Sequence, residues 1–353
     1  MKVSIKSIIC LLILIIFNRT EAYYLPGGED IKKVVEERRG KTALSILAMD
    51  MEPGTWAELK TKKPKGLWKA PPPSKKGLHI GTWSDDGHWD SRSGQFIFFG
   101  VRQTRKMIAY SEETNAWRTI EFHTKENAPG LVQKFGHQYS LNSLDPKRSR
   151  YFTGASGYNI DDDTWFRLPP IRIGRKFMAF EYFTAMDGLV GIARQREPGT
   201  VVFYSHEDKS WKKIGVSPVH GYHSLARHNP FREEVLLAGG NDTNAVVILT
   251  KSGYLERKDD FPLNLKKFTI RSSYLTVDPL SGRYLFLVPG KKFIEFDSSA
   301  NEYRMIDDFT KTKWPFHHYD SPIVAFIPEY GVTMWVDRKV DLYKHKFMSG
   351  PPL

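Results

Sequence analysis

Cysteine is almost absent from this chain. The 353 residues include one cysteine, Cys10, which lies in the apolar N-terminal stretch. Beyond that stretch, the sequence excludes thiolate nucleophiles, cysteine-ligated zinc and thiol redox chemistry. Disulfides are excluded as well, so the hydrophobic core alone must hold the fold together, and a domain of about 330 residues is large enough for that.

Long apolar runs are rare too. The one clear run covers residues 8–17, follows Lys2 and Lys6, and precedes the small residue Ala22. This order is typical of a cleaved secretory signal, here residues 1–22. The run is shorter than the ~20 residues that span a bilayer. We therefore expect a secreted or periplasmic protein without a membrane span in its mature chain; an uncleaved anchor is the alternative.

Acidic residues are outnumbered by basic ones. The chain has 52 Lys and Arg against 40 Asp and Glu, a net charge of +12. A basic exported protein attracts polyanions such as acidic polysaccharides, although such residues also serve only to solubilise a surface. Aromatic–basic signatures of nucleic-acid modules are not visible, so we expect no nucleic-acid partner. We predict a monomer whose partner is a carbohydrate or an extracellular protein.

Signature motifs of common enzymes are missing as well. The sequence has no P-loop, no glycine-rich dinucleotide turn, no HExxH and no GxSxG. No cofactor is predicted.

The chain does contain a repeated phrase, in which a polar turn precedes Trp or Tyr. The copies are EETNAWRTI (112–120), DDTWFRL (162–168), DKSWKKI (208–214) and SANEYRMI (299–306), with a relative, PGTWAEL (53–59), far upstream. A second anchor, a turn after a short apolar run, recurs at Asp90, Asp145, Asp187, Asn229, Asp278 and Pro328. These anchors are 55, 42, 42, 49 and 50 residues apart. Repetition at this period indicates modules of one supersecondary unit.

Each module contains short apolar runs bounded by turn signals, as in QFIFFG, KMIAYS and NAWRTI. Such runs are typical of antiparallel strands, and four strands per module make a β-propeller blade. The second copy is irregular, because GASGYNIDDDTW leaves little room for a third strand. The repeated aromatics are interpreted as packing between blades; they are Trp56, Trp117, Trp165, Trp211 and Tyr303.

The sixth module has three strands, SPIVAFIPE, YGVTMWVD and VDLYKHK, and no fourth before Leu353. The displaced phrase at 53–59 can supply it, because a ring of blades must not leave an open sheet edge. We therefore predict an all-β, six-bladed propeller over residues 53–353, closed by an N-terminal strand that joins the last blade. Residues 23–52 form a lead segment, either a short helix or irregular. A pair of stacked sandwiches is the alternative.

In these repeats the chain resembles the Kelch-type propellers, the superfamily that includes the galactose oxidase central domain. The resemblance rests on GQFIFFG, RYFTGA and VLLAGG, and on KMIAYSEETNAW, VVFYSHEDKSW and KFIEFDSSANEY. It covers residues ~80–346, and the Kelch double glycine is complete only at Gly239-Gly240. The copper centre of galactose oxidase uses a Tyr cross-linked to a Cys. Without a mature cysteine, this chemistry is excluded here.

In propellers generally, ligands bind where the first strands of the blades begin, because loops from all blades converge there. Counting back from each turn anchor predicts a ligand site at this channel mouth. Its candidate residues are Trp83, Asp85, His137, Tyr139, Glu181, Tyr182, His220, Tyr222, His223, Arg271, His318, Tyr319 and Asp320.

Several chemistries suit this set. Aromatic, His and Arg side chains bind sugars. A His or Tyr with Arg can also abstract a proton from a uronic acid, which would make the protein a polysaccharide lyase. Glu181 with Asp85 or Asp320 is a candidate glycosidase pair, and His137, His220 and His223 are candidate metal ligands. Recognition without catalysis is the first hypothesis, and an enzyme for acidic polysaccharides is the alternative.

Overall fold

The computed structural model describes residues 28–69, 79–82, 84–100, 106–120, 139–154, 156–171, 177–193, 198–240, 243–263, 274–288, 292–313, 316 and 322–346. The predicted signal lies outside these residues. Within them, no helix is long and apolar enough to cross a membrane. The described residues form six four-stranded antiparallel sheets and two short α-helices.

Each sheet has a first, second, third and outer strand. The first strands are β2 (His88–Asp90), β6 (Asn142–Asp145), β10 (Ala179–Phe183), β14 (Ser224–Asn229), β18 (Tyr274–Val277) and β22 (Ile323–Ile327). The second strands are β3 (Gln95–Gly100), β7 (Arg150–Thr153), β11 (Gly188–Ile192), β15 (Glu234–Gly239), β19 (Tyr284–Val288) and β23 (Val332–Val336). The third strands are β4 (Lys106–Ser111), β8 (Ser156–Asn159), β12 (Gly199–Ser205), β16 (Val246–Thr250), β20 (Lys292–Asp297) and β24 (Val340–Lys344). The outer strands are β5 (Ala116–Ile120), β9 (Thr164–Arg167), β13 (Ser210–Ser217), β17 (Leu255–Lys258), β21 (Glu302–Asp308) and β1 (Thr55–Leu59).

The six sheets form a closed ring. Each first strand packs against the first strands of two other sheets, in the circular order β2, β6, β10, β14, β18, β22 and back to β2. The first strands therefore surround a central channel, and the predicted six-bladed β-propeller is confirmed. We number the blades 1 to 6 in this order.

Blade 6 is completed from the other end of the chain, as predicted. Strand β1 pairs antiparallel with β24, with Trp56 opposite Tyr343. The two rings lie 4.6 Å apart between centroids, and Trp56 also meets the edge of Trp335 at 5.8 Å. This aromatic contact holds the two ends of the chain together, because large rings contribute most of the apolar area that such a seam buries.

The irregular second module still forms a complete blade. Its third strand, β8, has only four residues and pairs with β7 and β9. Gly157 in this strand leaves room for the ring of Phe166: a Cβ there would lie 2.0 Å from that ring. The ring can lie across the sheet at this place because Gly157 has no side chain.

Two helices lie in the lead segment: α1 (Glu29–Arg38) and α2 (Ala43–Asp50). They are separated by Gly40, whose φ of +70° is a left-handed conformation that glycine adopts without strain. Thr42 caps α2 in a reciprocal capping box with Ser45. Leu44 and Ala48 of α2 join the hydrophobic core shared by blades 1 and 6, so α2 packs on the seam of the ring.

The outer aromatic residues pack between elements. Trp117 is 4 % exposed, and its ring meets the edge of Trp68 at 5.0 Å. Trp211 donates its indole N–H to the carbonyl of Pro169 in the segment between blades 2 and 3, at 2.9 Å. Tyr303 stacks on Phe296 at 4.3 Å within blade 5. These side chains stabilise the blades.

Candidate ligand-binding site

The ring has two faces, which are named here by the parts of the strands that lie on them. The strand-start face is the side where the first strands begin. The hairpin-turn face is the opposite side, where the turns between first and second strands and between third and fourth strands lie. The predicted ligand site belongs to the strand-start face.

Three blades meet at this mouth through described residues. Tyr139, before β6 in blade 2, meets His223, before β14 in blade 4, edge to face at 5.4 Å between ring centroids. Tyr222 lies next to His223, at 6.1 Å, and 41 % of its surface is exposed. Asp85, before β2 in blade 1, accepts a hydrogen bond of 2.8 Å from the backbone N–H of Ser140. The convergence expected from the strand count therefore exists for these residues, which we name the mouth cluster: Asp85, Tyr139, Tyr222 and His223.

The loop HGYH at 220–223 presents Tyr222 to solvent. Gly221 and His223 both have positive φ, 84° and 69°, so the chain turns sharply on either side of the tyrosine. Ser224 fixes the turn by donating to the carbonyl of Gly221 at 3.0 Å. His220 is 7 % exposed and points back into the fold, where its Nδ1 lies 2.8 Å from the Pro218 carbonyl oxygen. The tyrosine is therefore exposed on a turn that the backbone conformation and one hydrogen bond hold in place.

A buried charge network lies below the mouth cluster. Arg227 in β14 is 3 % exposed and forms ion pairs with Asp86 of blade 1 and with Glu181 of blade 3, the second at 3.4 Å. Its Nε donates to the Leu275 carbonyl in blade 5 at 3.0 Å. Ser143 of blade 2 donates to Glu181 at 2.7 Å. One guanidinium thus joins the inner strands of several blades.

The carboxyl groups of this network are perturbed by their surroundings. Burial raises the pKa of Glu181, because a low-dielectric site disfavours the charged form. Burial, together with the neighbouring charge of Asp86, raises the pKa of Asp85 well above its ordinary value. His228 is affected in the opposite sense: burial lowers its pKa to about 3, so its ring is neutral at physiological pH.

The central channel contains a small cavity towards the hairpin-turn face. Its volume is about 40 Å³. Its floor consists of His88, Glu181, Arg227 and His228, and its walls include Pro146, Pro230, Phe326 and Pro328. Ligand pockets for small molecules measure roughly 300–1,000 Å³, so this cavity has room for a few water molecules rather than for a sugar ring.

One group of described residues has the composition of a metal site. Asp86, His88 and Glu181 each offer a ligand atom within 4.8 Å of the others. Arg227 already supplies positive charge to both carboxylates, and Nε2 of His88 lies 3.0 Å from the carbonyl oxygen of Asn142. Since a carbonyl oxygen can only accept, that nitrogen carries a proton. The group is therefore best described as an ion-pair and hydrogen-bond network.

The predicted residues fall into four sets. Asp85, Tyr139, Tyr222 and His223 form the mouth cluster, with His220 behind it. Glu181 lies deeper, in the charge network. Tyr182 is fully buried between blades 2 and 3, where its ring is parallel to that of Phe152 at 6.4 Å. The other predicted residues lie outside the described part of the chain: Trp83, His137, Arg271, His318, Tyr319 and Asp320.

Four residues of the channel were not predicted from the sequence: Asp86, Asn142, Ser143 and Arg227. Asn142 donates through Nδ2 to the carbonyl oxygens of Asp86 and Phe99, at 3.1 and 3.0 Å. A usable signal was present in SLARHN, where a charged residue stands in a strand that is otherwise predicted to be buried. A buried arginine requires a carboxylate partner, so Arg227 could have been assigned to the channel before its partners were known.

No protein-family model matches the chain, and no curated protein matches it. Solved structures do resemble its fold. A chain of the mitotic checkpoint complex is similar with a TM-score of 0.50 and 10% identity, over 81% of this chain and 95% of that one. A protein of unknown function from Bacteroides thetaiotaomicron gives a TM-score of 0.49 and 12% identity, over 71% of this chain and 67% of that one. A chain of the nidogen/laminin complex gives 0.46 and 10%, over 68% and 87%. At these identities the likeness concerns the fold alone, and the Kelch assignment is not confirmed.

Proposed function

We propose that this chain is a recognition propeller that binds a ligand, a carbohydrate or a protein segment, at the mouth cluster on the strand-start face. The carrying observation is the exposed Tyr222, held on a fixed turn beside the edge-to-face pair of Tyr139 and His223. Aromatic side chains of this kind provide large contact area at low entropic cost. The carboxyl group of Asp85, which is 4 % exposed and accepts from the backbone N–H of Ser140, adds a polar group at the same mouth.

We also propose that the chain is secreted and belongs to the Kelch-type superfamily. Secretion is supported by the layout of residues 1–22, and the superfamily by the aromatic-plus-turn phrases that end in Trp117, Trp211 and Tyr303. The phrase positions coincide with outer strands β5, β13 and β21.

The test is a glycan array probed with the purified chain and with Tyr222→Ala. Tyr254→Ala is the matched control, because Tyr254 is 67 % exposed and lies in the turn between β16 and β17, away from the mouth. We expect the wild type and Tyr254→Ala to bind the same glycans, and Tyr222→Ala to lose at least about tenfold in affinity, as expected for an aromatic contact residue. Equal binding by both variants would remove the mouth cluster as the site. Binding by none would redirect the proposal to a protein ligand.

The alternative is a lyase or hydrolase acting on an acidic polysaccharide. Among the described residues, Glu181 is engaged by Arg227 and Ser143 and borders a cavity of only about 40 Å³, so its surroundings support a structural role. The lyase alternative depends on His137 and Arg271, which lie outside the described residues. Absorbance of unsaturated uronates, followed with a panel of acidic glycans, tests it directly. A rise in absorbance would establish the enzyme, and a flat trace across the panel would remove the lyase.

A further inference from the structure

A second, larger concavity lies away from the channel, between blades 2 and 3 on the side of the hairpin-turn face. Its volume is about 530 Å³. It is lined by Arg148, Arg150, Phe166, Arg167, Leu168, Asp187, Tyr204, His206, Glu207 and Lys209. We name it the inter-blade groove. Its size lies within the roughly 300–1,000 Å³ of small-molecule sites.

Positive charge in the inter-blade groove exceeds negative charge. Arg148 is neutralised, since it forms ion pairs of 2.8 Å with both Asp145 and Asp187. The other three cations, Arg150, Arg167 and Lys209, have no carboxylate within ion-pair distance among the described residues. Against them stands Glu207, which is exposed at the margin. The groove therefore attracts anions.

Arg150 is held in place for this role. Its Nε donates to Oδ1 of Asn159 at 3.1 Å, and its guanidinium lies 5.5 Å from the ring centroid of Phe166. Phe166 can lie beneath it because Gly157 has no side chain there. Neither partner is an anion, so the guanidinium group of Arg150 keeps its full positive charge. Because these contacts already hold the side chain, it loses little conformational entropy when an anion binds. A fixed guanidinium suits the paired oxygens of sulfate or carboxylate groups.

The remaining lining points to a sugar rather than to a nucleic acid. Asp187 and Glu207 at the groove are acceptors for the hydroxyl groups of a sugar. Tyr204 is 6 % exposed and Phe166 is covered by Arg150, so neither offers a free face for stacking a nucleobase. A ligand whose rings carry both anionic groups and hydroxyl groups matches both kinds of lining.

We propose that the inter-blade groove is a binding site for an acidic polysaccharide, whose sulfate or uronate groups are bound by Arg150, Arg167 and Lys209. The site is separate from the mouth cluster and does not depend on it. It adds a polysaccharide contact that the function proposed above does not require.

The test measures binding of a labelled heparin octasaccharide and of a labelled oligogalacturonate by fluorescence anisotropy. The variant is Arg150→Gln/Arg167→Gln. The matched control is Lys65→Gln/Lys313→Gln, which also removes two positive charges, but from exposed positions outside the groove. We expect at least about a tenfold loss of affinity in the groove variant, since charge-assisted hydrogen bonds are the stronger kind, and less than about twofold in the control.

Further variants keep the test decisive. Arg150→Lys keeps the charge but loses the fork, and we expect its affinity to lie between those of the wild type and the groove variant. Thermal melting shows whether each variant is folded, and Arg167→Gln alone, at an exposed position, serves if the double variant is not. Tyr222→Ala should bind both probes as the wild type does, which separates this site from the mouth cluster.

Three outcomes would overturn the proposal. One is equal loss of affinity in the groove variant and the control, which would indicate general charge attraction. Another is no binding of either probe by the wild type. The third is tighter binding of single-stranded DNA or polyglutamate than of both sugar probes, which would show that the groove prefers another class of polyanion.

Discussion

We expect Glu329 to make the stability of the ring seam depend on pH. It lies in the 3₁₀ turn Pro328–Tyr330 that follows β22 and is 0 % exposed. Trp89 of blade 1 donates its indole N–H to Oε1 at 2.7 Å, and Ser91 donates to Oε2 at 2.8 Å. Arg38 of α1 lies 3.7 Å from Oε1. Burial, as the largest influence, raises the pKa of Glu329 to about 7.

The sign of the effect follows from the two states. In an unfolded chain the pKa of a glutamate is about 4.3, so the folded chain holds a proton that the unfolded chain releases. The stabilisation from this group is complete below pH ~4 and is lost as the pH rises through about 7. For these two pKa values, linkage gives a loss of about 2.5 kcal/mol in the free energy of unfolding between pH 5 and pH 8.

Glu329→Gln should remove this loss. The amide oxygen can still accept from Trp89, and the amide N–H₂ can donate to the hydroxyl of Ser91, while the group no longer titrates. The measurement is urea unfolding of wild type and variant at pH 5, 6, 7 and 8. Glu112, whose pKa burial also raises, adds its own pH dependence to both proteins. The informative quantity is therefore the difference between the two curves.

We expect the stability of Glu329→Gln, relative to wild type, to rise by about 2.5 kcal/mol from pH 5 to pH 8. Glu113→Gln, at an exposed position in the same region as Glu112, is the control and should follow the wild type. Parallel curves for wild type and Glu329→Gln would refute the reasoning, because they would mean that this carboxyl group titrates alike in both states.

Three further predictions concern stability, each read from the urea midpoint at pH 7. Trp56→Ala should lower the free energy of unfolding by about 3 kcal/mol, because the indole of Trp56 packs on Tyr343 where the propeller closes. A decrease of less than about 1 kcal/mol would mean that this contact is not important for stability. Arg227→Met should lower the free energy of unfolding by about 3–5 kcal/mol, because the carboxylates of the network lose their cation. Adding Glu181→Gln should restore part of this stability. If the double variant is no more stable than Arg227→Met, the ion pair between Arg227 and Glu181 is not the cause of the loss. Gly157→Ala should cost about 1–3 kcal/mol through overpacking, since the new methyl group would lie 2.0 Å from an aromatic ring; wild-type stability would show that the ring moves at no cost.

The blade count and the ring closure could be predicted because they depend on features that repeat. A turn anchor and an outer aromatic mark each module, and the displaced copy at Trp56 matches the strand that blade 6 lacks. The two lead helices were harder, because Gly40 argues against one continuous helix and only the structure shows that it separates two. A repeated pattern predicts the architecture well because each copy independently marks the same strands and turns of a blade.

The site could be predicted only in part, because counting along a strand does not give the direction of its side chains. Glu181 and Tyr182 are neighbours in β10, and side chains alternate between the faces of a strand. Glu181 therefore points into the channel, while Tyr182 packs between blades 2 and 3. The inter-blade groove joins Arg150 to Lys209 across two modules, and no pattern within one module indicates such a pair.

The most direct test of the account is hydrogen–deuterium exchange with and without the glycan that binds most tightly on the array. We expect slower exchange in peptides that cover residues 139–144 and 220–225, which contain Tyr139, Tyr222 and His223 of the mouth cluster. Protection confined to the outer strands, with no change in these two segments, would contradict it.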